Sequence, residues 1–261
     1  MKKAFFFDYD GTLVDNETKV IPSSAVKALQ ELRRQGHLLF VNTGRTKGIL
    51  DPQIYDVPWD GMILGCGTYI VYHDEVLLDK EISKEQYDKV ATLIDRYDGE
   101  AFFEGKEHLY LSEPITRKDL LRMIERYRRN QCSVLPASAK DKSFSKLFVC
   151  MEDPTKKEAF HQEVAELFTF IDRGGARCEL VPKGYSKATG IQLICDHLHI
   201  NQKDCYVFGD SNNDLPMFEY ISNSILIGGE NPELGDRVMY VSEDANHDGI
   251  EQALRYLKFL K

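Results

Sequence analysis

The chain alternates short apolar runs with amphipathic stretches of helical period. Lys3 to Phe7 is a compact β-rich run. Val26, Leu29 and Leu32 then recur on one helical face, which predicts a helix capped by Ser23 or Ser24, running through Gln35 and stopped by Gly36. Leu38 to Val41 and Gly61 to Leu64 have strand length, and Thr68 to Tyr72 with Val76 to Asp79 forms a hairpin pattern around His73-Asp74-Glu75. The same rhythm returns late in the chain. Ser186 to Leu198 carries Ile191, Ile194, Cys195 and Leu198 at i, i+3, i+4 and i+7. Strand-like runs follow at Cys205 to Phe208, Ser224 to Ile227 and Val238 to Val241. A last helix places Ile250, Leu254 and Leu257 together. Strands alternating with helices predict an α/β fold with a parallel sheet.

The middle of the chain differs. From Ile82 to Pro182 the pattern reads helix, two strands, helix, strand, helix, two strands. The helices fall at Lys84 to Tyr97, Thr116 to Arg129 and Thr155 to Phe168. The strands fall near Ala101 to Phe103, Leu109 to Leu111, Lys146 to Met151, Phe170 to Asp172 and Cys178 to Val181. Paired strands predict a partly antiparallel α+β module inserted into the α/β domain. Residues 1–81 and 183–261 would then form the core and residues 82–182 the insertion.

At 261 residues the chain has the length for one large domain or two modest ones. A chain this long buries roughly 70–75% of its unfolded surface and needs no disulfide or metal staple to fold. With 43% hydrophobic and 29% charged residues it has a globular composition. Lys and Arg number 33 against 42 Asp and Glu, a net charge of −9. An acidic chain without basic runs suits neither nucleic acid nor an anionic membrane surface. A small phosphorylated molecule needs only a local positive site and stays open. No apolar run reaches the ~18–20 residues of a membrane span. The opening apolar stretch ends at Asp8, too short for a signal peptide. The six cysteines form no CxxC pair and are expected to be reduced, mostly buried and apolar in role. The expected location is cytoplasmic.

Four groups carry candidate chemistry. Asp8-Tyr9-Asp10-Gly11-Thr12 ends the first strand, and in open α/β sheets ligands bind beyond the carboxyl ends of strands. Two residues apart in an extended chain, Asp8 and Asp10 project to one side, where they need a cation or a shared proton. Asn42-Thr43-Gly44-Arg45 follows the second strand and offers a hydroxyl and an exposed backbone N–H to an anion. Lys187 opens a helix as a point charge for phosphate. Gly209 through Asp214 adds two carboxylates at another strand end, and hard oxygen donors favour Mg²⁺.

Taken in order, these groups resemble the motifs of the haloacid dehalogenase superfamily of phosphohydrolases, and the resemblance covers essentially the whole chain. Asp8-Tyr9-Asp10-Gly11-Thr12-Leu13-Val14-Asp15 is similar to the first motif and Asn42-Thr43-Gly44-Arg45 to the second. Gly184-Tyr185-Ser186-Lys187 is similar to the third and Gly209 through Asp214 to the fourth. The central insertion and Asp248-Gly249-Ile250 resemble the Cof-type subgroup with a type IIB cap. Ile227-Gly228-Gly229-Glu230-Asn231 departs from it, since relatives show Met-Gly-Asn-Ala there. The resemblance implies a Rossmann-like core with an inserted α+β cap that sets substrate specificity. It implies Asp8 as the nucleophile that forms an aspartyl-phosphate, and Asp10 as general acid and then base. Mg²⁺ would be held by the Asp8 and Asp210 carboxylates and the Asp10 carbonyl. Thr43, Gly44, Lys187 and Asn213 would hold the phosphoryl oxygens, with Asp214 orienting Lys187 or a metal-bound water.

Each feature also has a plainer reading. A lone Asp-x-Asp-Gly is a common acidic turn, and a lone Lys187 is a solvated helix-end lysine; the ordered set promotes both. Arg45 divides evenly between a structural ion pair and a charge beside the phosphate. Asp210 to Asp214 imitates the start of a calcium loop, but Leu215 and Ile221 stand where its glycine and glutamate belong. Gly65-Cys66-Gly67 hints at a dinucleotide turn, yet a hairpin follows instead of a helix. The basic stretch Arg122 to Arg129 is the wet face of a helix. The leading expectation is a Mg²⁺-dependent phosphatase of small metabolites such as sugar or cofactor phosphates. A phosphomutase and a non-catalytic phospholigand sensor are the alternatives.

Overall fold

The computed structural model describes residues 2–229 and 232–261. The chain opens with β1 (Ala4–Phe7), α1 (Ser23–Arg34), β2 (Leu38–Asn42), β3 (Gly61–Leu64), β4 (Tyr69–Tyr72) and β5 (Glu75–Asp79). The middle carries α2 (Lys84–Arg96), β6 (Glu100–Glu104), β7 (His108–Leu111), α3 (Lys118–Arg129), β8 (Ser133–Pro136), β9 (Lys146–Cys150), α4 (Pro154–Val164), β10 (Phe168–Asp172) and β11 (Arg177–Pro182). The return adds α5 (Lys187–Leu198), β12 (Cys205–Gly209), α6 (Leu215–Tyr220), β13 (Ser224–Ile227), α7 (Pro232–Gly235), β14 (Tyr240–Ser242) and α8 (Gly249–Tyr256). Packing separates two compact units: residues 1–44, 52–77 and 186–261, and residues 45–51 with 78–185. The second unit thus starts four residues before position 82, and it takes 45–51 from the first half of the chain.

The first unit is built on a sheet in the order β14-β13-β12-β1-β2-β3-β4-β5. β1 pairs in parallel with both β12 and β2, so it lies at the centre and at the point where the strand order reverses. Helices cover both faces of such a strand, which therefore needs apolar side chains at every position. Phe5, Phe6 and Phe7 meet that need and are fully buried. Phe6 stacks on Phe40 at 4.8 Å and Phe7 on Phe208 at 4.5 Å, so aromatic pairs tie β1 to β2 and β12. β4 runs antiparallel to its neighbour β3, and on its other side it neighbours β5, the second arm of the expected hairpin.

The second unit has a six-stranded sheet, β10-β11-β9-β6-β7-β8, antiparallel except where α3 crosses between the parallel β7 and β8. Alternation along β6 and β9 sorts its two faces. Ala101, Phe103, Leu147 and Val149 join the core formed with Val90 and Phe160 of α2 and α4. Phe102, Phe148 and Cys150 face Leu120 and Ile124 of α3. Beside them Lys146 is buried between Glu104, at 3.1 Å, and Glu179, at 2.9 Å. Paired charges make that burial tolerable.

Some expectations need correction. Neither Ser23 nor Ser24 caps α1: Pro22 holds the cap position with no side-chain bond, and Ser24 instead donates to Asp248 at 2.5 Å. The helix expected to reach Phe168 stops at Val164, because Phe168 pairs with Pro182 as the first residue of β10. β8 was not expected. The strand placed at Val238 to Val241 is Tyr240–Ser242. Glu230 and Asn231, part of the stretch that departs from the Cof-type pattern, lie outside the described residues. Among the described residues no helix is long and apolar enough to cross a membrane.

All six cysteines are free, and five are buried, Cys132 being intermediate. Burial pushes the Cys150 thiol up to about 11 and the Cys178 thiol up to about 12. Thiolate is the reactive form, so both are protected twice, by access and by protonation. An aromatic disulfide reagent at pH 8 is expected to titrate about one thiol, Cys132, in the folded protein and all six in denaturant. Fast reaction of several thiols in the native state would contradict this packing.

Candidate active site

Three neighbouring strands, β2, β1 and β12, end side by side at the reversal point of the first sheet. Parallel neighbours lie about 4.8 Å apart, so residues just past their carboxyl ends share one crevice. Asp8 follows β1, Thr43 follows β2 and Asp210 follows β12. The Asp8 N–H donates to Phe208 O at 2.8 Å, which continues the ladder up to the site. The chain then turns at Gly11, with φ +86°. A Cβ there would stand 2.4 Å from Asp210 Oδ2, so only glycine lets the two loops meet.

Lys187 occupies the centre. Its side chain is fully buried, and Nζ lies 2.5 Å from Asp8 Oδ1 and 2.6 Å from Asp214 Oδ1. Its position comes from α5. Ser186 caps that helix, its hydroxyl accepting from Thr189 N–H, and Asn42 Nδ2 donates to Lys187 O at 3.1 Å. Asp214 uses its second oxygen to accept from the N–H groups of Asp210 and Ser211, both at 3.0 Å. Thr12 Oγ1 donates to Asp210 Oδ1 at 2.9 Å, and Ser211 Oγ donates to Asn213 Oδ1 at 3.0 Å.

Asp8, Asp210 and Asp214 each bring a carboxylate oxygen within 4.8 Å of the others. Burial pushes the Asp8 carboxyl up to about 6; Lys187 opposes this, and the charges of Asp214 and Asp10 add to it. Burial, then Asp8 and Asp214, drive Asp210 well above the usual carboxylate range. Burial works against the Lys187 ammonium, but Asp214 and Asp8 outweigh it and hold its pKa above the ordinary value. Three carboxylates against one ammonium leave surplus negative charge. Hard oxygen donors with such a surplus fit Mg²⁺. Asp214 is engaged at both oxygens by the protein, so Asp8 and Asp210 are the carboxylates that could hold such an ion.

The other expected residues lie close by. Asp10 is half-buried, pairs with Val14 through the backbone, and stands near enough to Asp8 to raise its pKa, but it is outside the three-carboxylate group. Thr43 is buried, its N–H donating to Ile63 O at 2.9 Å, and half-buried Gly44 follows it. Asn213 is buried beside Asp214. Arg45 belongs to the second unit, where it pairs with Asp51 at 2.6 Å; Asp51 also accepts from Asn130. The structural reading of Arg45 is the one its geometry favours.

The sequence matches the profile of the haloacid dehalogenase-like hydrolase family over residues 5–254. The chain belongs to the haloacid dehalogenase-like hydrolases. It is 28% identical over 267 residues to the phosphatase candidate YkrA of Bacillus subtilis (strain 168), covering 99% of each chain. It is 25% identical over 277 residues to the 5-amino-6-(5-phospho-D-ribitylamino)uracil phosphatase YwtE of the same organism, covering 95% of each. A solved structure described as the subclass IIB sugar phosphatase BT4131 superposes with a TM-score of 0.86 at 24% identity, covering 99% of this chain and 100% of that one. The fold is the Rossmann-like core with an inserted cap that these hydrolases share.

Within this family site, sequence reasoning assigned no role to Thr12, Asn42 or Ser211. Thr12 and Asn42 stood inside quoted motifs, so the signal was position; their partners, Asp210 and the Lys187 carbonyl, are far away in the chain. Breaking a buried ion pair by deleting one partner costs about 3–5 kcal/mol. Lys187→Met is therefore expected to lower unfolding stability by about that amount in urea melts at pH 7.5. A loss below about 1 kcal/mol would mean that the carboxylates do not depend on Lys187.

Proposed function

We propose that the protein is a Mg²⁺-dependent phosphatase of small phosphorylated metabolites that works through an aspartyl-phosphate on Asp8. The observation that carries this reading is the Lys187 ammonium held between Asp8 and Asp214 beside Asp210, at the end of the central strand. That arrangement neutralises charge where a phosphoryl group needs it, and phosphoryl transfer depends chiefly on positioning and charge neutralisation.

An Asp8 oxygen attacks phosphorus and the bond from phosphorus to the leaving alcohol breaks. Asp10 gives its proton to the departing oxygen. Asp10, now a carboxylate, takes a proton from water as that water attacks the aspartyl-phosphate. Inorganic phosphate leaves and Asp8 is restored. Lys187, the Thr43 hydroxyl, the Gly44 N–H and Asn213 hold the phosphoryl oxygens. Mg²⁺, when bound by Asp8, Asp210 and the Asp10 carbonyl, supplies further charge neutralisation. Asp214 keeps Lys187 in place. The inserted unit serves as the specificity element, and the substrates are sugar or cofactor phosphates.

Purified protein is expected to release inorganic phosphate from para-nitrophenyl phosphate and from some members of a sugar- and cofactor-phosphate panel with Mg²⁺, and to stop in EDTA. Asp8→Asn is expected to keep the fold and lose at least ~10³-fold in kcat/KM. Activity retained by Asp8→Asn would overturn the covalent route. No release from any compound by folded, Mg²⁺-supplied protein would favour the phosphomutase or the phospholigand sensor.

A further inference from the structure

The Gly65-Cys66-Gly67 stretch is no dinucleotide turn, and the structure shows it in another place of consequence. Its three residues lie in succession at φ +59°, +56° and +89°. A run of left-handed residues is rare for L-amino acids, and Cys66 adopts it without the freedom of glycine. The turn is closed by Gly67 N–H and Thr68 N–H, both donating to Leu64 O at 3.1 Å, and by Thr68 Oγ1 donating to Gly65 O at 3.0 Å. Cys66 and Thr68 are buried.

On one side the turn grips the second motif: Cys66 N–H donates to Thr43 O at 3.1 Å. On the other it meets the start of α5 with no side chain between. A Cβ at Gly67 would lie 2.3 Å from Ser186 O, the carbonyl just before Lys187. One turn further along α5, a Cβ at Gly190 would lie 2.4 Å from Ile63 Cγ2 and 3.5 Å from Gly67 Cα. The helix that carries Lys187 is thus seated backbone to backbone on this turn. Asn42, at the end of β2, also donates to the Lys187 carbonyl, at 3.1 Å.

We infer that the Gly65-Cys66-Gly67 turn is a positioning element that sets Lys187 and Thr43 in register around the phosphoryl group. The inference rests on the proposed role of these two residues as phosphate holders. A methyl group at position 67 cannot fit unless α5 moves away from the turn, and Lys187 moves with it. Misplacement of a holding group by about 1 Å can cost 10²-fold in rate.

The test compares Gly67→Ala with Gly36→Ala. Gly36 has a similar φ of +86°, but a Cβ there meets nothing within 4 Å, so it matches the backbone strain without the steric push. Both variants are assayed at a temperature where melts show them folded, for turnover of para-nitrophenyl phosphate and for binding of inorganic phosphate with Mg²⁺ by phosphorus NMR. Gly67→Ala is expected to lose about 10–100-fold in kcat and to bind phosphate several-fold more weakly, with Gly36→Ala close to wild type in both. Should Gly67→Ala not fold, Cys66→Val carries the same expectation, because a β-branched residue resists φ +56°. Phosphate affinity and kcat unchanged in the folded turn variant would overturn the inference. Absence of turnover in the wild type would instead overturn the proposed phosphatase, while phosphate binding still tests the turn.

Discussion

One buried ammonium organises this molecule's chemistry. Lys187 sits between Asp8 and Asp214 with no exposed surface, and each of the three is tolerable there only because of the others. They come from three distant places in the chain: the end of β1, the start of α5 and the loop after β12. The rest of the first unit can be read as what that meeting requires. The central strand must be apolar on both faces to reach the crevice from inside the sheet. The loop after β12 must fold back so that Asp214 can take two backbone N–H groups with one oxygen and Lys187 with the other.

The surplus of negative charge follows from the same arrangement. One ammonium does not balance Asp8, Asp210 and Asp214, and burial makes the excess costly. A site kept in that condition suits a cation with a preference for hard oxygen donors. Asp10 stands outside this knot, half-buried and held by its backbone to Val14. In the proposed mechanism Asp10 is the carboxyl that exchanges protons with substrate and water, a role separate from that of the Lys187 knot.

Much of this was legible in the sequence, for physical reasons. β1, β2 and β12 are buried on both faces, so their apolar runs stand out, and the motif residues fall where those runs end. The insertion was legible as a change from alternating strand and helix to paired strands. β8 escaped because Ser133–Pro136 is short and partly exposed and ends in proline. The end of α4 was misplaced because Leu167 and Phe168 continue an apolar pattern that β pairing claims. In the site, which carboxylates the protein itself engages depends on partners remote in sequence, such as Lys187 for Asp8 and Asp214 and Thr12 for Asp210. The left-handed run at Gly65-Cys66-Gly67 has no local signature beyond its two glycines.

In the proposed mechanism Asp8 carries the phosphoryl group during turnover. The most direct measurement is an acid-quenched reaction with radiolabelled phosphoryl substrate, followed by borohydride reduction and peptide mass spectrometry. An acyl phosphate confined to the peptide containing Asp8, and reduced there to homoserine, is expected. Steady turnover with no label or reduction at Asp8, or label at another carboxylate, would contradict it.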